Sequence, residues 1–326
     1  MTHVLVTGAA GFIGQALAAR LKASLQAGQI ASLTLADLRF AAGAVDAAGL
    51  RYLSGDLGVP SVLAAATSPA PELVFHLAGI TSRAAQADFA LGLRVNVSNT
   101  IALFERLRMQ GRAPVVVCAS TIGVYGVPLP DAIDDHTPLH PTMSYGAQKQ
   151  MVEILLTDYS QRGWLDGRAV RLSSIVARPS VPNMALSAFS SQLIREPAEG
   201  RSYTCPVEPD ATIWLLSLPA CIECLLQAGS ITKQQLPGNR AWNLPALRAS
   251  PRELTQAVGR HLGRDISSLI DYQPQAELAA QFAKWPQLST EVASSLGMRH
   301  DGNLDTLVAR ALDAGASFVK SKHFTD

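Results

Sequence analysis

A tyrosine and a lysine stand four positions apart in the segment SYGAQK, as Tyr145 and Lys149. The longer segment YGAQKQMVEILLTDYSQRG has apolar residues at helical spacing, and residues at i and i+4 lie on one face of a helix. Tyrosine titrates near ~10 in water, too high for a good base at neutral pH, and an adjacent cation favours the phenolate. The spacing therefore predicts proton removal by Tyr145 with the help of Lys149, although these letters also fit one turn of an ordinary amphipathic helix.

Two hydroxyl side chains, Ser120 and Thr121, follow the apolar segment APVVVCA, 25 and 24 residues before Tyr145. The apolar segment predicts a buried strand, and open α/β sheets bind their ligands at the carboxyl ends of the strands. We therefore predict that Ser120 and Thr121 belong to the same catalytic and substrate-binding site as Tyr145. The sequence does not choose between the two hydroxyls.

A glycine-rich segment, TGAAGFIG, directly follows the first predicted strand and opens the first predicted helix. The pattern G-x-x-G-x-x-G is a variant of the dinucleotide fingerprint, in which glycine permits a tight turn and a close approach of the backbone to a pyrophosphate at a helix N-terminus. A position between a strand and a helix is the context that this motif requires. The predicted cofactor-binding residues of the loop are Gly8, Gly11, Phe12, Ile13 and Gly14.

An acidic side chain, Asp37, ends the second predicted strand, 23 residues after Gly14. A carboxylate at this point accepts hydrogen bonds from the adenosine ribose hydroxyls and repels a 2′-phosphate. The predicted cofactor is therefore NAD, although Arg39 two residues later leaves NADP open.

Further cofactor contacts are predicted where the third and fourth strands end, in the segments GDL and HLAG. The small residues of HLAG would let a cofactor lie against the backbone, and Asp56 of GDL could meet the adenine. The predicted residues are Asp56, Leu57, Leu77, Ala78 and Gly79. Asn96, in the helix that follows, is a further candidate, but it fits a surface asparagine equally well. His76 is expected to be a packed strand residue.

The elements that must position these residues alternate between strands and helices along the first half of the chain. Apolar strand segments separated by helices indicate a parallel sheet that is covered on both faces. The predicted fold class is α/β, a Rossmann-type doubly wound parallel sheet with a smaller C-terminal substrate lobe. We expect an NAD-binding domain over 1–178, to which 211–235 returns, and a substrate-binding lobe over 179–210 and 236–326.

The composition excludes several classes of protein. The 326 residues carry 27 basic and 26 acidic side chains, which argues against a nucleic-acid partner, and no apolar run is long enough to span a membrane. Four scattered cysteines do not form the framework of a secreted domain, and Cys221 and Cys224 lack the second ligand pair of a structural zinc site. We expect reduced thiols, no metal and a cytoplasmic protein.

Together, these motifs resemble the extended short-chain dehydrogenase/reductase family over nearly the whole chain. The match comprises T-G-x-x-G-x-x-G, the aspartate after the second strand, H-L-A-G, the hydroxyls followed by V-Y-G, and Y-x-x-x-K. The resemblance implies that Lys149 also binds the nicotinamide ribose, that a hydroxyl orients the substrate oxygen, and that this hydroxyl is Thr121 when counted from V-Y-G. It also implies a homodimer formed by the helices around Tyr145.

The substrate region departs from the nucleotide-sugar members of the family. Their R-x-x-N-x-x-G is replaced here by a segment with Ser174 at the asparagine position, and RPSVPNMALSAFSSQLIREP is similar to NAD-dependent dehydrogenases of four-carbon sugar acids. A small sugar acid needs a cation for its carboxylate and polar groups for its hydroxyls. Arg178 is predicted to bind the carboxylate and Asn183 a hydroxyl. Other candidates are Ser187, Ser190 and Arg195. The alternatives are a nucleotide-sugar epimerase or dehydratase and a non-catalytic NAD(P)-sensing regulator.

Overall fold

The computed structural model describes residues 2–179 and 186–322, with side chains described except at 186 and 315–322. The chain divides into two compact units. The first unit comprises residues 1–124, 143–171 and 225–242, and the second unit comprises residues 125–142, 172–224 and 243–326.

The strands and helices are numbered in chain order. The strands are β1 His3–Thr7, β2 Ser32–Asp37, β3 Leu50–Ser54, β4 Leu73–His76, β5 Val115–Thr121, β6 Ala132–Ile133, β7 Asp166–Leu172, β8 Ser174–Val176, β9 Tyr203–Cys205, β10 Ile213–Ser217, β11 Ala241–Asn243, β12 Leu247–Ala249, β13 Ile270–Tyr272 and β14 Gln287–Leu288. The helices are α1 Phe12–Gln26, α2 Pro60–Ala66, α3 Ser82–Ala87, α4 Phe89–Leu93, α5 Asn99–Met109, α6 Ser144–Gln161, α7 Phe189–Ala198, α8 Leu218–Ser230, α9 Pro251–Leu262, α10 Ala276–Phe282, α11 Glu291–Ser295 and α12 Leu304–Lys322.

A seven-stranded sheet forms the centre of the first unit, with the strand order β11-β7-β5-β4-β1-β2-β3. β1 pairs in parallel with β2 and β4, and the pairs β2–β3 and β4–β5 are parallel as well. The apolar residues of the central strands are buried without alternation, as in a sheet covered on both faces. The predicted Rossmann-type fold is therefore confirmed.

Helix α6 packs its apolar face onto this sheet. Val152 and Leu156 belong to a core cluster that also contains Val116 and Cys118 of β5. Because α6 is one continuous helix, Lys149 lies three residues before Val152 and seven before Leu156 on the same buried face. Packing against β5 thus sets the rotation of the predicted catalytic helix.

A π-helical turn, Arg94–Ser98, connects α4 to α5. The sequence predicted one continuous helix here. Each π-type turn takes in one residue more than an α-helical turn, and such turns are rare and frequent at functional sites. The extra residue buries Asn96, so the alternative of a surface asparagine is wrong.

The second unit contains a three-stranded sheet, β12-β10-β8, and two pairs of short strands, β13-β9 and β14-β6. Its core includes Leu193, Leu215, Leu254 and Leu307. Helix α9 starts with the reciprocal hydrogen bonds of a capping box between Ser250 and Glu253.

The boundaries of the units differ from the expected domain boundaries in one main respect. The sequence placed 211–235 with the NAD-binding domain, whereas β10 and the first part of α8 belong to the second unit and only 225–242 belongs to the first. The chain around Ala169 contributes to two sheets, because β7 joins the seven-stranded sheet and β8 joins the three-stranded one. The assignment of cofactor and substrate binding to the units stays a prediction.

Candidate active site

The glycine-rich loop between β1 and α1 packs closely against the end of β4. Gly8 has a φ of 72°, and a Cβ built on it would lie 2.6 Å from the nitrogen of Ala78. A Cβ on Gly14 would overlap the carbonyl oxygen of Gly8. Gly11 is the N-cap of α1, whose first turn carries the half-buried Phe12 and Ile13. Only glycine fits at positions 8 and 14, and the amides at the start of this 15-residue helix suit a pyrophosphate.

Asp37, at the end of β2, lies beside the same loop. Its carboxylate accepts hydrogen bonds from the backbone amide of Ala10 at 2.8 Å and from that of Leu38 at 2.7 Å. A carboxylate has about four acceptor sites, so it can also accept from ribose hydroxyls. The remaining acceptor sites of Asp37 and the adjacent glycine loop therefore fit an NAD molecule. Arg39, the residue that left NADP open, is exposed.

The residues after β3 have two different environments. One oxygen of Asp56 accepts hydrogen bonds from the amide of Gly58 at 2.8 Å and from Asn99 Nδ2 at 3.0 Å, which fixes the turn. The side chain of Leu57 is buried in the core, so only its backbone remains for a cofactor.

The segment Leu77–Gly79 brings the end of β4 to the catalytic helix. Leu77 and Ala78 are half-buried and Gly79 is exposed. A Cβ on Gly79 would lie 2.9 Å from Asn96 Oδ1 and 3.4 Å from Lys149 Nζ. A glycine at this position therefore leaves its backbone open directly beside the lysine.

Tyr145 and Lys149 are brought together on α6. The ammonium of Lys149 lies 5.9 Å from the centroid of the Tyr145 ring. Tyr145 is half-buried and Lys149 is buried. Burial lowers the pKa of Lys149, while Cys118 and Glu153 act in the opposite direction. The arrangement places one cation beside the phenol, as the sequence predicted for a proton-accepting tyrosine.

The two candidate hydroxyls are in different environments. Ser120 is buried and donates a hydrogen bond of 2.5 Å to Glu153, which forms an ion pair of 2.8 Å with Arg171. Thr121 is half-buried, and its hydroxyl accepts a hydrogen bond of 3.1 Å from the amide of Gly123. Accepting that bond leaves the proton of Thr121 available, whereas Ser120 donates its proton to the carboxylate.

Sequence reasoning missed Glu153 and Arg171. Glu153 stands four residues after Lys149, so it shares a helix face with Tyr145 and Lys149, and this spacing was a usable signal. Arg171 stands at the arginine of the R-x-x-N-x-x-G pattern, but the sequence does not show its partner, because Arg171 meets Glu153 only through the packing of α6 on the sheet. Both side chains are about 95% buried, at 4% and 5% exposed.

Of the predicted substrate residues, Ser120, Thr121 and Tyr145 belong to the first unit and Arg178 belongs to the second. Arg178 is half-buried. Burial raises the pKa of the Cys221 thiol, and the charge of Arg178 reduces this rise. Asn183 lies outside the described residues. Ser190 is buried and donates a hydrogen bond to the carbonyl of Ser187 at 3.3 Å.

Three further predictions concern residues outside the catalytic pair. Arg195 forms an ion pair of 3.3 Å with Glu199. His76 is buried, as expected of a packed strand residue. Cys221 and Cys224 are free and buried.

Among the described residues no helix is long and apolar enough to cross a membrane.

Known proteins resemble the chain over most of its length. The profile of the NAD dependent epimerase/dehydratase family matches residues 4–214. A D-erythronate dehydrogenase from Cupriavidus necator is 39% identical over 96% of this chain and 99% of that protein. A D-erythronate dehydrogenase from Haemophilus influenzae is 30% identical over 95% of this chain and 98% of that protein. The crystal structure of the nucleoside-diphosphate-sugar epimerase from Agrobacterium tumefaciens has a TM-score of 0.87 and 31% identity, and covers 94% of this chain and 92% of that chain.

Proposed function

The chain belongs to the NAD dependent epimerase/dehydratase family, and from this premise we propose that it is an NAD-dependent dehydrogenase that oxidises D-erythronate to 2-dehydro-D-erythronate. The observation that carries the proposal is the position of Lys149 Nζ, beside both the Tyr145 ring and the backbone of Gly79. The names of two relatives that match nearly the whole chain supply the substrate. The resemblance of the segment after Pro179 to sugar-acid dehydrogenases agrees with them.

The chain's own residues supply the proton chemistry of this reaction. Bound NAD would accept the hydride from C2 of the substrate. Tyr145 would take the proton of the C2 hydroxyl as the hydride leaves, and the positive charge of Lys149 favours the phenolate that does so. Thr121, rather than Ser120, is proposed to donate a hydrogen bond to the substrate oxygen, because the proton of Ser120 is held by Glu153.

The cofactor residues are proposed on the same reasoning. The glycine loop at Gly8 and Gly14 would accept the pyrophosphate, and Asp37 would bind the adenosine ribose, which favours NAD. The buried Asn96 holds the segment after β4 rather than lying on the surface. Asp56 and the backbone of Leu57 are proposed to lie near the adenine.

The substrate residues of the proposal are Arg178 for the carboxylate and Asn183 for a hydroxyl. A guanidinium binds a carboxylate through two parallel hydrogen bonds, which a four-carbon acid can use without any nucleotide. Ser187 is a further candidate, and Ser190 is a weaker one because its hydroxyl already donates its proton to the Ser187 carbonyl.

An epimerase of nucleotide sugars is the second candidate function, and the named activity of the Agrobacterium tumefaciens structure favours it. Such an enzyme would recycle its NAD without net reduction. Ser174 at the expected asparagine position argues against it. A non-catalytic NAD(P)-sensing regulator has no use for the Tyr145, Lys149 and Thr121 arrangement and is the least supported alternative.

The assembly is proposed to be a homodimer in the cytoplasm. Met151 and Ile154 on α6 are 51% and 64% exposed, and Phe89 of α4 is 60% exposed. Neighbouring exposed apolar side chains on a soluble enzyme are typical of a protein interface. Light scattering after gel filtration would show a dimer of the wild type, and a monomer for Ile154→Lys.

The deciding experiment measures NADH formation by the purified protein with NAD and a panel of four- and five-carbon aldonates. Selective turnover of D-erythronate is the expected result. No NADH with any aldonate, together with thermal stabilisation by a UDP or dTDP sugar, would replace the proposal by the epimerase function.

A further inference from the structure

A buried row of polar side chains crosses the first unit between the glycine loop and α6. Its members come from five different elements, and all are at most 3% exposed: Thr7, His76, Asn96, Thr100 and Gln148. Buried polar groups cost free energy unless they are hydrogen-bonded, and a bonded network makes a core specific and rigid. Every side chain of the row has a hydrogen-bonded partner, and Gln148 Nε2 alone among the nitrogens of the row has none in the described part of the chain. The row therefore restricts the backbone around it.

The directions of the hydrogen bonds at Thr100 and His76 follow from one backbone carbonyl, that of Asn96. The hydroxyl of Thr100 donates to the backbone oxygen of Asn96 at 2.9 Å, and a carbonyl can only accept. Thr100 must then accept from His76 Nε2, which lies 2.9 Å away. His76 is thus protonated on Nε2, because a neutral imidazole carries one N–H. Burial and the charge of Lys149 lower the pKa of His76 to about 3, so the ring is neutral.

The other ring nitrogen continues the chain toward the glycine loop. His76 Nδ1 accepts from the hydroxyl of Thr7 at 2.7 Å, and Thr7 Oγ1 accepts in turn from the amide of Ala78 at 3.4 Å. Thr7 immediately precedes Gly8, whose backbone touches Ala78. One end of the chain therefore fixes the contact between the glycine loop and the end of β4.

Asn96 connects the other end of the chain to α6. Its Oδ1 accepts from the amide of Ile80 at 2.9 Å, and its Nδ2 donates to the Ile80 oxygen at 3.1 Å and to Gln148 Oε1 at 2.8 Å. Both Nδ2 hydrogens are thus used within the protein. Gln148 directly precedes Lys149, whose ammonium lies beside Gly79.

We propose that His76 is a positioning residue of the NAD site, which through Thr7 and Thr100 fixes the backbone after β4 between the glycine loop and Lys149. The His76 side chain does not touch the cofactor in this role. It joins Thr7 to Thr100, and Thr100 connects it to Asn96, which bonds Ile80 and α6. The inference rests on NAD binding by the family and requires no particular sugar acid.

Thr100→Val tests the proposal, because it removes one hydroxyl from the middle of the chain and leaves the side-chain shape. NAD affinity is measured by isothermal titration calorimetry, and stability by thermal unfolding. Thr100→Val removes two buried hydrogen bonds of the chain, the one donated to the Asn96 carbonyl and the one accepted from His76 Nε2. If these bonds hold the site, their loss should raise the Kd for NAD about fivefold to tenfold. Thr100→Ser keeps the hydroxyl and should restore the affinity.

Thr67→Val is the matched control. Thr67 is a fully buried threonine of the same unit, and its hydroxyl donates to the Leu63 carbonyl at 2.9 Å, away from the chain. It should lower the unfolding temperature much as Thr100→Val does, with the Kd for NAD changed by less than about twofold. Equal Kd values for Thr100→Val and Thr67→Val would overturn the proposal.

Two further measurements test the connection through His76. Thr7→Val and Thr100→Val remove partners of opposite ring nitrogens, so the double variant should bind NAD about as weakly as the weaker single variant. Additive losses would show that the hydroxyls act separately. Nitrogen NMR of the histidines should place the His76 proton on Nε2, and a proton on Nδ1 would contradict the assigned direction. Because each readout is NAD binding or a spectrum, failure of the D-erythronate assay would leave this inference standing.

Discussion

Lys149 Nζ lies 5.9 Å from the centroid of the Tyr145 ring, although Lys149 is buried and Tyr145 is half-buried. A buried ammonium has lost much of its hydration, and burial lowers its pKa accordingly. Its charge is therefore screened less than that of a surface lysine, and it acts more strongly on a nearby phenol. Because Lys149 lies one helical turn from Tyr145 and is buried, its positive charge favours the Tyr145 phenolate with little screening by water.

Tyr145→Phe should abolish most turnover while NAD binding stays nearly unchanged. The substitution removes the proton acceptor and keeps the ring, and a positioned general base contributes about a hundredfold to ten-thousandfold in rate. Steady-state kinetics with D-erythronate and calorimetric titration with NAD measure the two effects. Turnover within about tenfold of the wild type would remove Tyr145 as the base.

Thr121→Val and Ser120→Ala should have different consequences. Thr121→Val is expected to lower kcat with little change in stability, because its proton is proposed to bind the substrate oxygen. Ser120→Ala is expected to act on stability, at about 1.5–3 kcal/mol for a buried hydrogen bond to a charged group, since Ser120 donates to the Glu153 carboxylate. Kinetics and urea unfolding of both variants separate these roles. A larger loss of kcat in Ser120→Ala would reverse the assignment.

The alternation of strands and helices and the glycine loop could be predicted because their signals are local. Apolar runs, glycines at positions 8 and 14 and the Tyr145 spacing are all visible within a few residues of the sequence. The choice between Ser120 and Thr121 could not be made in this way. Successive side chains of a strand point to opposite faces, so the sequence shows that the two hydroxyls differ but does not show which face meets α6.

The features that the sequence missed depend on contacts between distant segments. The residues of the π-helical turn Arg94–Ser98 also suit an ordinary α-helix. Only the contacts of the buried Asn96 with Ile80 and Gln148 distinguish the π-helical turn from an α-helix. Similarly, Glu153 was visible on the helix face, but its partner Arg171 is identified only by the fold.

Glu153→Gln should destabilise the protein strongly. The substitution leaves the buried charge of Arg171 without a carboxylate, and breaking a buried ion pair typically costs about 3–5 kcal/mol. Asp158→Asn is the control on the same helix, because its pair with Arg162 is about half exposed and surface pairs contribute about 0–1 kcal/mol. Urea unfolding compares the variants. Equal small losses would show that Arg171 finds other partners.

The stability of the protein should fall as the pH decreases from 6.5 toward 3, in part because of His76. Burial first and then the charge of Lys149 lower the pKa of His76 to about 3, whereas the unfolded chain binds this proton near ~6.5. Between these values the unfolded state holds more protons, so the free energy of unfolding rises with pH by about 1.4 kcal/mol per unit and is about 2 kcal/mol lower at pH 5 than at neutral pH.

Comparison of histidine variants isolates this contribution. His76→Gln removes the titrating group, so the change in unfolding free energy between pH 7 and pH 5 should be about 2 kcal/mol smaller than in the wild type, whatever the absolute stability of the variant. His140→Gln alters an exposed histidine and should keep the wild-type pH dependence. Urea unfolding at both pH values measures the difference. The same pH dependence in all three proteins would contradict this prediction, because it would mean that His76 gains a proton in the folded state. The hydrogen bonds oppose that proton: Nε2 already carries the hydrogen donated to Thr100, and Nδ1 accepts the hydroxyl hydrogen of Thr7.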